Sequence, residues 1–368
     1  MKIGMKKFAI HLPQFHEIEE NNIWWGKGFT EWTNVKNAKS LYKGHLEGYF
    51  PLNNNYYDLM KKSTMEWQKH LENQYDIDGF IYYHYYFNGK SIMEKPLENL
   101  LRWRDIKQKY FFCWANHSWV KSVDGKKTIL IKQEYGVTKD WEKHFVYLLS
   151  FFKDERYEKK HNKPLFMIFK PNFDEYEDMM NYFNRRCKEE GFDGIYIIKT
   201  CQWPNESENP LADNRSEMFY LREPEYSYRA WRQKYEKTIH YPVEIIKHKL
   251  NQKLHLGCPV YRYSGDEIYD YMLKIKRDYK KIIPGIFFSW DSTVRHGKRG
   301  YIIEECSKDK FFEYMDYICD SEYVFINAWN EWSEGMILEP TERNGYKYLE
   351  WIKEWTEKNA KETEKMET

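Results

Sequence analysis

The chain has 368 residues, with 58 Lys+Arg against 57 Asp+Glu and a formal net charge of +1. That balance excludes a binder of nucleic acid or of polyanions that works through bulk charge. Mean hydropathy is −0.88, yet 15 Trp, 32 Tyr and 22 Phe make up 19% of the chain, more rings than a core of this size needs. Rings that bury one face and keep a polar handle suit a cleft for sugars.

No run approaches the ~20 apolar residues of a membrane span. The start, MKIGMKKFAIHLPQF, reaches His11 before an apolar stretch of signal-peptide length develops. The six cysteines are scattered, with no C-x-x-C pair. Reduced thiols in a cytoplasmic protein are therefore expected, rather than a disulfide framework or a zinc knuckle.

In chain order, short aromatic or β-branched runs predict strands at Phe8–Leu12, Gly79–Tyr86, Tyr110–Trp114, Leu165–Phe169, Ile195–Lys199, Met218–Leu221, Gly285–Trp290 and Tyr323–Trp329. Periodic stretches between them predict helices at Asp58–Gln74, Glu94–Leu101, Lys139–Phe152, Glu175–Glu190, Val243–Leu250, Gly265–Lys281, Lys308–Cys319 and Tyr346–Asn359. Strands and helices in alternation predict an α/β fold, a single (β/α)8 barrel over residues 1–354 with a charged, fraying tail at 355–368. A barrel needs about 250 residues, so the surplus goes into loops. Segments 13–56 and 200–242 are long, aromatic and weakly periodic. A doubly wound sheet would carry a Gly-rich phosphate loop after its first strand, and HLPQFH is not one.

Loops after barrel strands build the active site. The most informative is INAWNEWSEGMILEP, residues 326–340, which carries Asn330, Glu331, Trp332, Glu334 and Glu339. A continuing strand would point Glu331 and Glu334 to opposite faces. Gly335 predicts a turn instead, which would bring both to one cavity. Paired carboxylates at an aromatic-lined mouth suit glycosidic-bond chemistry, one as acid and one as base or nucleophile. E-x-x-E by itself is common on solvated helices, so the placement carries the argument.

The other strand ends supply polar and stacking groups. The segment HLPQFHEIEENNIWWGKGFTEWTNV holds His11, Gln14, His16, Trp24, Trp25, Glu31 and Trp32. His11 reads first as a satisfied core histidine, and Trp25 and Trp32 read equally as plug or as substrate platform. His84, Tyr85, Tyr86 and Asn88 follow the second strand, and Asn116, His117 and Trp119 the third. Lys170, Asn172, Gln202, Trp203 and Glu223 follow the next three; Trp290, Asp291, Arg295 and His296 follow the seventh. The expected substrate-binding set is His11, Gln14, Trp25, Trp32, His84, Tyr86, Asn116, Trp119, Trp290, Asp291, Asn330 and Trp332. No metal is expected, since H-E-x-x-H and H-x-x-E-H are absent.

HLPQFH, NNIWWGKGFTEWTNVKNAK, GFIYYHYYFNGK, FCWANHSW, SWDSTVRHGKRG and INAWNEWSEGMILEP together resemble the WbsX-type glycosyltransferases of bacterial surface-polysaccharide synthesis, also described as glycoside hydrolase family 99-like proteins. The resemblance runs from about Ala9 to about Leu349. It implies a (β/α)8 barrel acting on glycosidic bonds in O-antigen or capsule biosynthesis. In the related endo-acting α-mannosidases, the first Glu of N-E-W-H-E-G is proposed to deprotonate the sugar 2-hydroxyl, forming a 1,2-anhydro sugar. The second protonates the leaving oxygen and later activates water. The resemblance thus implies Glu331 as base and Glu334 as acid/base. Ser333 stands where that family has histidine.

The expected activity is glycosyl transfer, with endo-acting α-mannosidase-like hydrolysis or non-catalytic glycan binding as alternatives. The expected partner is a glycan or glycolipid, with no cofactor and no nucleic acid. An activated sugar donor and peripheral membrane association stay open.

Overall fold

The computed structural model describes residues 4–46, 49–123, 126–201, 218–221, 225–254, 258–274 and 282–367. Its main strands are β1 (Lys6–His11), β2 (Gly79–Phe87), β3 (Lys109–Trp114), β4 (Lys163–Ile168), β5 (Tyr196–Cys201), β6 (Met218–Leu221), β7 (Gly285–Phe287) and β8 (Tyr323–Asn327). They pair in parallel in the order β6-β5-β4-β3-β2-β1-β8-β7. Two residues before β7, across Pro284, the short strand Ile282–Ile283 pairs in parallel with β6. Helices follow the strands, as parallel pairing through crossovers requires.

Register decides which side chains share a face. Ile10, Ile81 and Phe111 are aligned partners across β1, β2 and β3, and Phe8, two residues before Ile10, shares their face of β1. Phe8 meets Phe111 at 5.3 Å between ring centroids, across the intervening β2. Phe111 meets Phe325 of β8 at 5.7 Å. These rings therefore project to the inner side of the sheet. The alternate residues face helices: His84 lies 5.1 Å from His144 and 5.5 Å from Tyr147, ring to ring, on the helix Thr138–Phe152.

All eight expected strands are present, seven of them with a shifted end. The seventh stops at Phe287, and Trp290 belongs to a separate short strand, Trp290–Asp291. That strand pairs with Tyr301–Ile303, which pairs in turn with Tyr261–Tyr263, a small second sheet. The eighth strand stops at Asn327. The final helix runs from Lys347 to Glu367, beyond its expected end at Asn359. Two short helices, Glu19–Trp25 and Glu31–Lys36, lie where weak periodicity predicted only loop. The second starts at a capping box in which Thr33, rather than Glu or Gln, returns the bond to the Thr30 amide at 3.1 Å. Residues 275–281 of one expected helix, together with Gln202, Trp203 and Glu223, lie outside the described residues.

Candidate active site at the strand ends

The path of the chain after β8 sets the site. The Trp329 amide donates to the Ile10 carbonyl at 2.7 Å. The Asn330 amide group clasps Leu12, accepting from its N–H at 2.7 Å and donating to its carbonyl at 3.1 Å. The segment then forms a tight hairpin, Asn330–Glu331 against Met336–Ile337, with a 3-10 turn at Trp332–Glu334. Gly335 closes the turn at φ 64°, and a Cβ there would lie 2.6 Å from the Asp291 nitrogen. Only glycine satisfies both the left-handed backbone and that approach. The break expected at Gly335 is present, and both Glu331 and Glu334 line one cavity of about 720 Å³.

A third carboxylate lines the same cavity. Glu31, at the first turn of its helix and almost fully buried, accepts the Ser333 N–H at 2.7 Å. It thereby ties the N-terminal loop to the turn between Glu331 and Glu334. Arg295 ion-pairs with Glu334. Burial opposes the guanidinium charge, but Glu334, Glu31 and Glu331 raise its pKa above the ordinary arginine value. The cation thus faces three carboxyl groups gathered in one space.

The walls are aromatic. Trp119 meets Tyr85 edge-on at 5.2 Å. Trp25 is 45% exposed, stacks on Phe29 at 5.8 Å and receives Lys121 Nζ over its ring at 4.6 Å. Gln14 and Tyr83 also line the cavity. Tyr85 keeps its proton: burial first, then the Glu331 charge, raise its pKa. Its phenol is therefore available as a hydrogen-bond donor beside an acid.

Of the expected site residues, the cavity brings together Gln14, Trp25, Trp119, Glu331 and Glu334. The rest are elsewhere, and each placement has a cause. His84 and Tyr86 have the opposite parity to Tyr83 and Tyr85, so they face the helix; Tyr86 stacks on His144 at 3.9 Å. His11 is likewise on the helix side, 3.3 Å from Gln68, and burial lowers its pKa to about 3, so it is a neutral core histidine. Trp32 is the plug: its indole donates to the Tyr57 carbonyl at 2.8 Å, with Phe15 at 4.7 Å and Trp332 at 5.3 Å.

Asn116 joins two strand ends, donating to the Lys170 carbonyl and accepting from its N–H, each at 2.7 Å. Trp290 packs on Tyr301 at 5.1 Å. Asp291 sits behind the turn, held by His45 at 2.9 Å and by the Thr293 hydroxyl at 2.5 Å. Burial would raise the Asp291 pKa, but these bonds take it below the ordinary value. Asn330 and Trp332 are fully buried and hold the hairpin. Trp332 donates to Glu339 at 2.8 Å, as does the Tyr57 hydroxyl at 3.0 Å. Burial pushes the Glu339 carboxyl up to about 7.

Tyr83 is the cavity residue that sequence reasoning did not single out; Tyr85, Glu31 and Arg295 stand among its strand-end and loop candidates but not in the expected substrate-binding set. Strand parity, once the inward residues were anchored on Phe8, would have found the two tyrosines. Nothing local reports the aim of Glu31. Among the described residues, no cluster of His, Cys, Asp or Glu is arranged to hold a metal.

The chain is similar to known proteins. The WxcX proteins of two strains of Xanthomonas campestris pv. campestris are 27% and 28% identical over 361 and 360 residues, 93% of this chain in each case. The chain spans about half the length of these curated relatives, 48% in each. Among solved structures, a glycoside hydrolase-like protein superposes with a TM-score of 0.57 at 13% identity, covering 96% of this chain and 94% of the other. The GH99 endo-α-mannosidase from Bacteroides thetaiotaomicron gives 0.53 at 11% identity, covering 96% and 97%. At those identities the likeness is one of fold. From residue 7 to residue 352 the chain matches the family described as Glycosyltransferase WbsX, and it belongs to that family.

Proposed function

We propose that the protein makes glycosidic bonds in a bacterial surface polysaccharide, as a glycosyltransferase with a two-glutamate active site. The family and the fold support a carbohydrate-active enzyme. The observation that carries the finer reading is the shared cavity of Glu331 and Glu334 on one hairpin beyond β8, walled by Trp25 and Trp119. Parallel pairing of Ile282–Ile283 with β6 and of β7 with β8 supports a closed eight-stranded barrel, with the cavity at its C-terminal mouth.

In this reading Glu331 takes the proton of a sugar 2-hydroxyl. The freed oxygen attacks the anomeric carbon, and the bond to the leaving oxygen breaks as Glu334 gives that oxygen a proton. A 1,2-anhydro sugar results. Glu334, now a carboxylate paired with Arg295, takes the proton of an acceptor hydroxyl. The acceptor oxygen bonds to the anomeric carbon, the three-membered ring opens, and the sugar 2-oxygen recovers its proton from Glu331. The Arg295 ion pair suits this second half, in which Glu334 must be charged. With water as acceptor the same steps give hydrolysis, the alternative reading.

The test is incubation with oligosaccharides of the host surface glycan and a labelled acceptor. Transfer of label by the wild type is expected. Glu331→Gln and Glu334→Gln should each lose about 10²–10⁴-fold. A good leaving group should rescue the first step of Glu334→Gln only, because that step then needs no proton donor. New reducing ends without labelled product would favour hydrolysis. Near wild-type rates in both variants would refute the two-glutamate mechanism.

A further inference from the structure

Among the described residues, the ring contacts of the helix His240–Leu254 lie on one side. Tyr241 meets Tyr235 at 6.0 Å, and His248 stacks on Tyr261 at 3.8 Å. The opposite side carries Ile239, Val243, Ile246, Leu250 and Leu254, which are between 50% and 84% exposed. Their spacing of four, three, four and four residues makes one continuous stripe along the helix. At 100° per residue, Lys247 falls on one flank of that stripe and Lys249 and Lys253 on the other. Glu244 is the sole acid within the helix; it lies on the side of the ring contacts, 3.7 Å from Lys247.

We propose that this helix lies in the surface of an anionic lipid membrane, with its aliphatic stripe among the acyl chains and its lysines at the headgroups. An apolar stripe edged by lysine is the arrangement an interfacial helix uses, because the long stems reach the headgroups while the aliphatic residues sink below them. Charge favours this occupant over a second copy of the chain. Both flanks are basic, so a two-fold pairing would set lysine against lysine. The stripe is also only one side chain wide on a helix about 22 Å long, less than the ~800 Å² per partner of a stable dimer. Among the described residues no helix is long and apolar enough to cross a membrane; the contact proposed is with the membrane surface.

The position of the helix gives the contact a purpose. Tyr261 belongs to the strand Tyr261–Tyr263, which pairs with Tyr301–Ile303 and, through it, with Trp290–Asp291. Asp291 lies directly against Gly335, at the end of the turn that carries Glu334. The helix is thus joined through one small sheet to the candidate site. Docking would hold the cavity near lipid, where a glycan carried on a lipid is presented. The docking itself does not depend on the reaction.

Co-sedimentation of the whole chain with vesicles tests it. Vesicles of phosphatidylcholine with about one-third phosphatidylglycerol should bind the wild type, and pure phosphatidylcholine vesicles should bind it at least tenfold more weakly. The combined variant V243S, I246S and L250S should lose binding at least tenfold, and K247Q, K249Q and K253Q together should lose it similarly at low salt. Unchanged thermal melting of both variants would show that the fold is intact. Failure to bind the anionic vesicles, or equal binding by wild type and variants, would overturn the proposal. So would a wild-type dimer in sedimentation equilibrium that the serine variant dissociates, if no vesicle binding accompanies it.

Discussion

On the inner side of β2, Tyr83 and Tyr85 line a cavity with three glutamates and two arginines, Arg295 and Arg299. On the other side of the same strand, His84 and Tyr86 are buried against a helix, and the His84 and His144 imidazoles share one proton at 2.9 Å between nitrogens. Burial lowers the His84 pKa to about 3 and takes His144 well below its ordinary value, so both rings stay neutral. Residues one apart in a strand thus take part in different chemistry. In the cavity, charges face each other and remain available to a ligand. In the layer behind, His84, Tyr86 and His144 are buried and pack on one another. Glu339 belongs to that second layer, a carboxyl held beneath Trp332 rather than offered to the cavity.

The contrast predicts that variants behind the site change stability, whereas variants facing the cavity change binding. The largest effect expected is at Glu339. Its folded pKa of about 7 is raised from 4.5, so the folded state holds its proton more tightly than the unfolded one. Its contribution to stability is full below about pH 4.5 and is lost as pH rises through about 7. At about 1.4 kcal/mol per tenfold change in proton affinity, the loss is about 3 kcal/mol. Glu339→Gln cannot ionise, so urea denaturation of the variant should lack this decline between pH 4.5 and 7.5. The same decline in wild type and variant would place Glu339 outside that linkage.

His84→Phe comes next. It keeps a ring in place but strands the His144 nitrogen, at a cost of about 1–3 kcal/mol in denaturant titration. Glycan affinity should be unchanged, and a large loss of affinity would dissolve the distinction between the two faces. The smallest effect is at the walls. Trp25→Ala and Trp119→Ala should each weaken oligosaccharide binding by about 0.5–1.5 kcal/mol in calorimetry, by the measure of other aromatic contacts. Trp25, being half exposed, should do so with little change in melting temperature. If neither variant alters binding, the cavity walls are not a sugar platform.

Much of this was legible in the sequence, because it is local. Runs such as GFIYYHYYF and YVFIN are β-branched or aromatic and short, so strand identity is written in them. The turn after Glu331 was legible for the same reason: Gly335 marks a backbone that other residues resist. The shared cavity of Glu331 and Glu334 follows from that turn. Which face of each strand looks inward was not legible. Strands buried on both sides read as continuous apolar runs with no alternation to break the tie, so the expected binding set holds His84 and Tyr86 where the cavity has Tyr83 and Tyr85.

Polar residues at strand ends carried a second ambiguity. Asn116 and Asn330 have the chemistry of ligand contacts, but their amides are used up on Lys170 and Leu12. A buried backbone group at a strand end must be paired, and only the neighbouring strand's position says with what. The sequence determined the α/β alternation, the hairpin and the residue types that can do chemistry, since each depends on a few adjacent φ/ψ preferences. Tertiary structure decided which of those residues share a cavity. Glu31 and Ser333 are 302 positions apart, and no local preference acts over that span; their hydrogen bond forms only when packing brings the N-terminal loop onto the final hairpin.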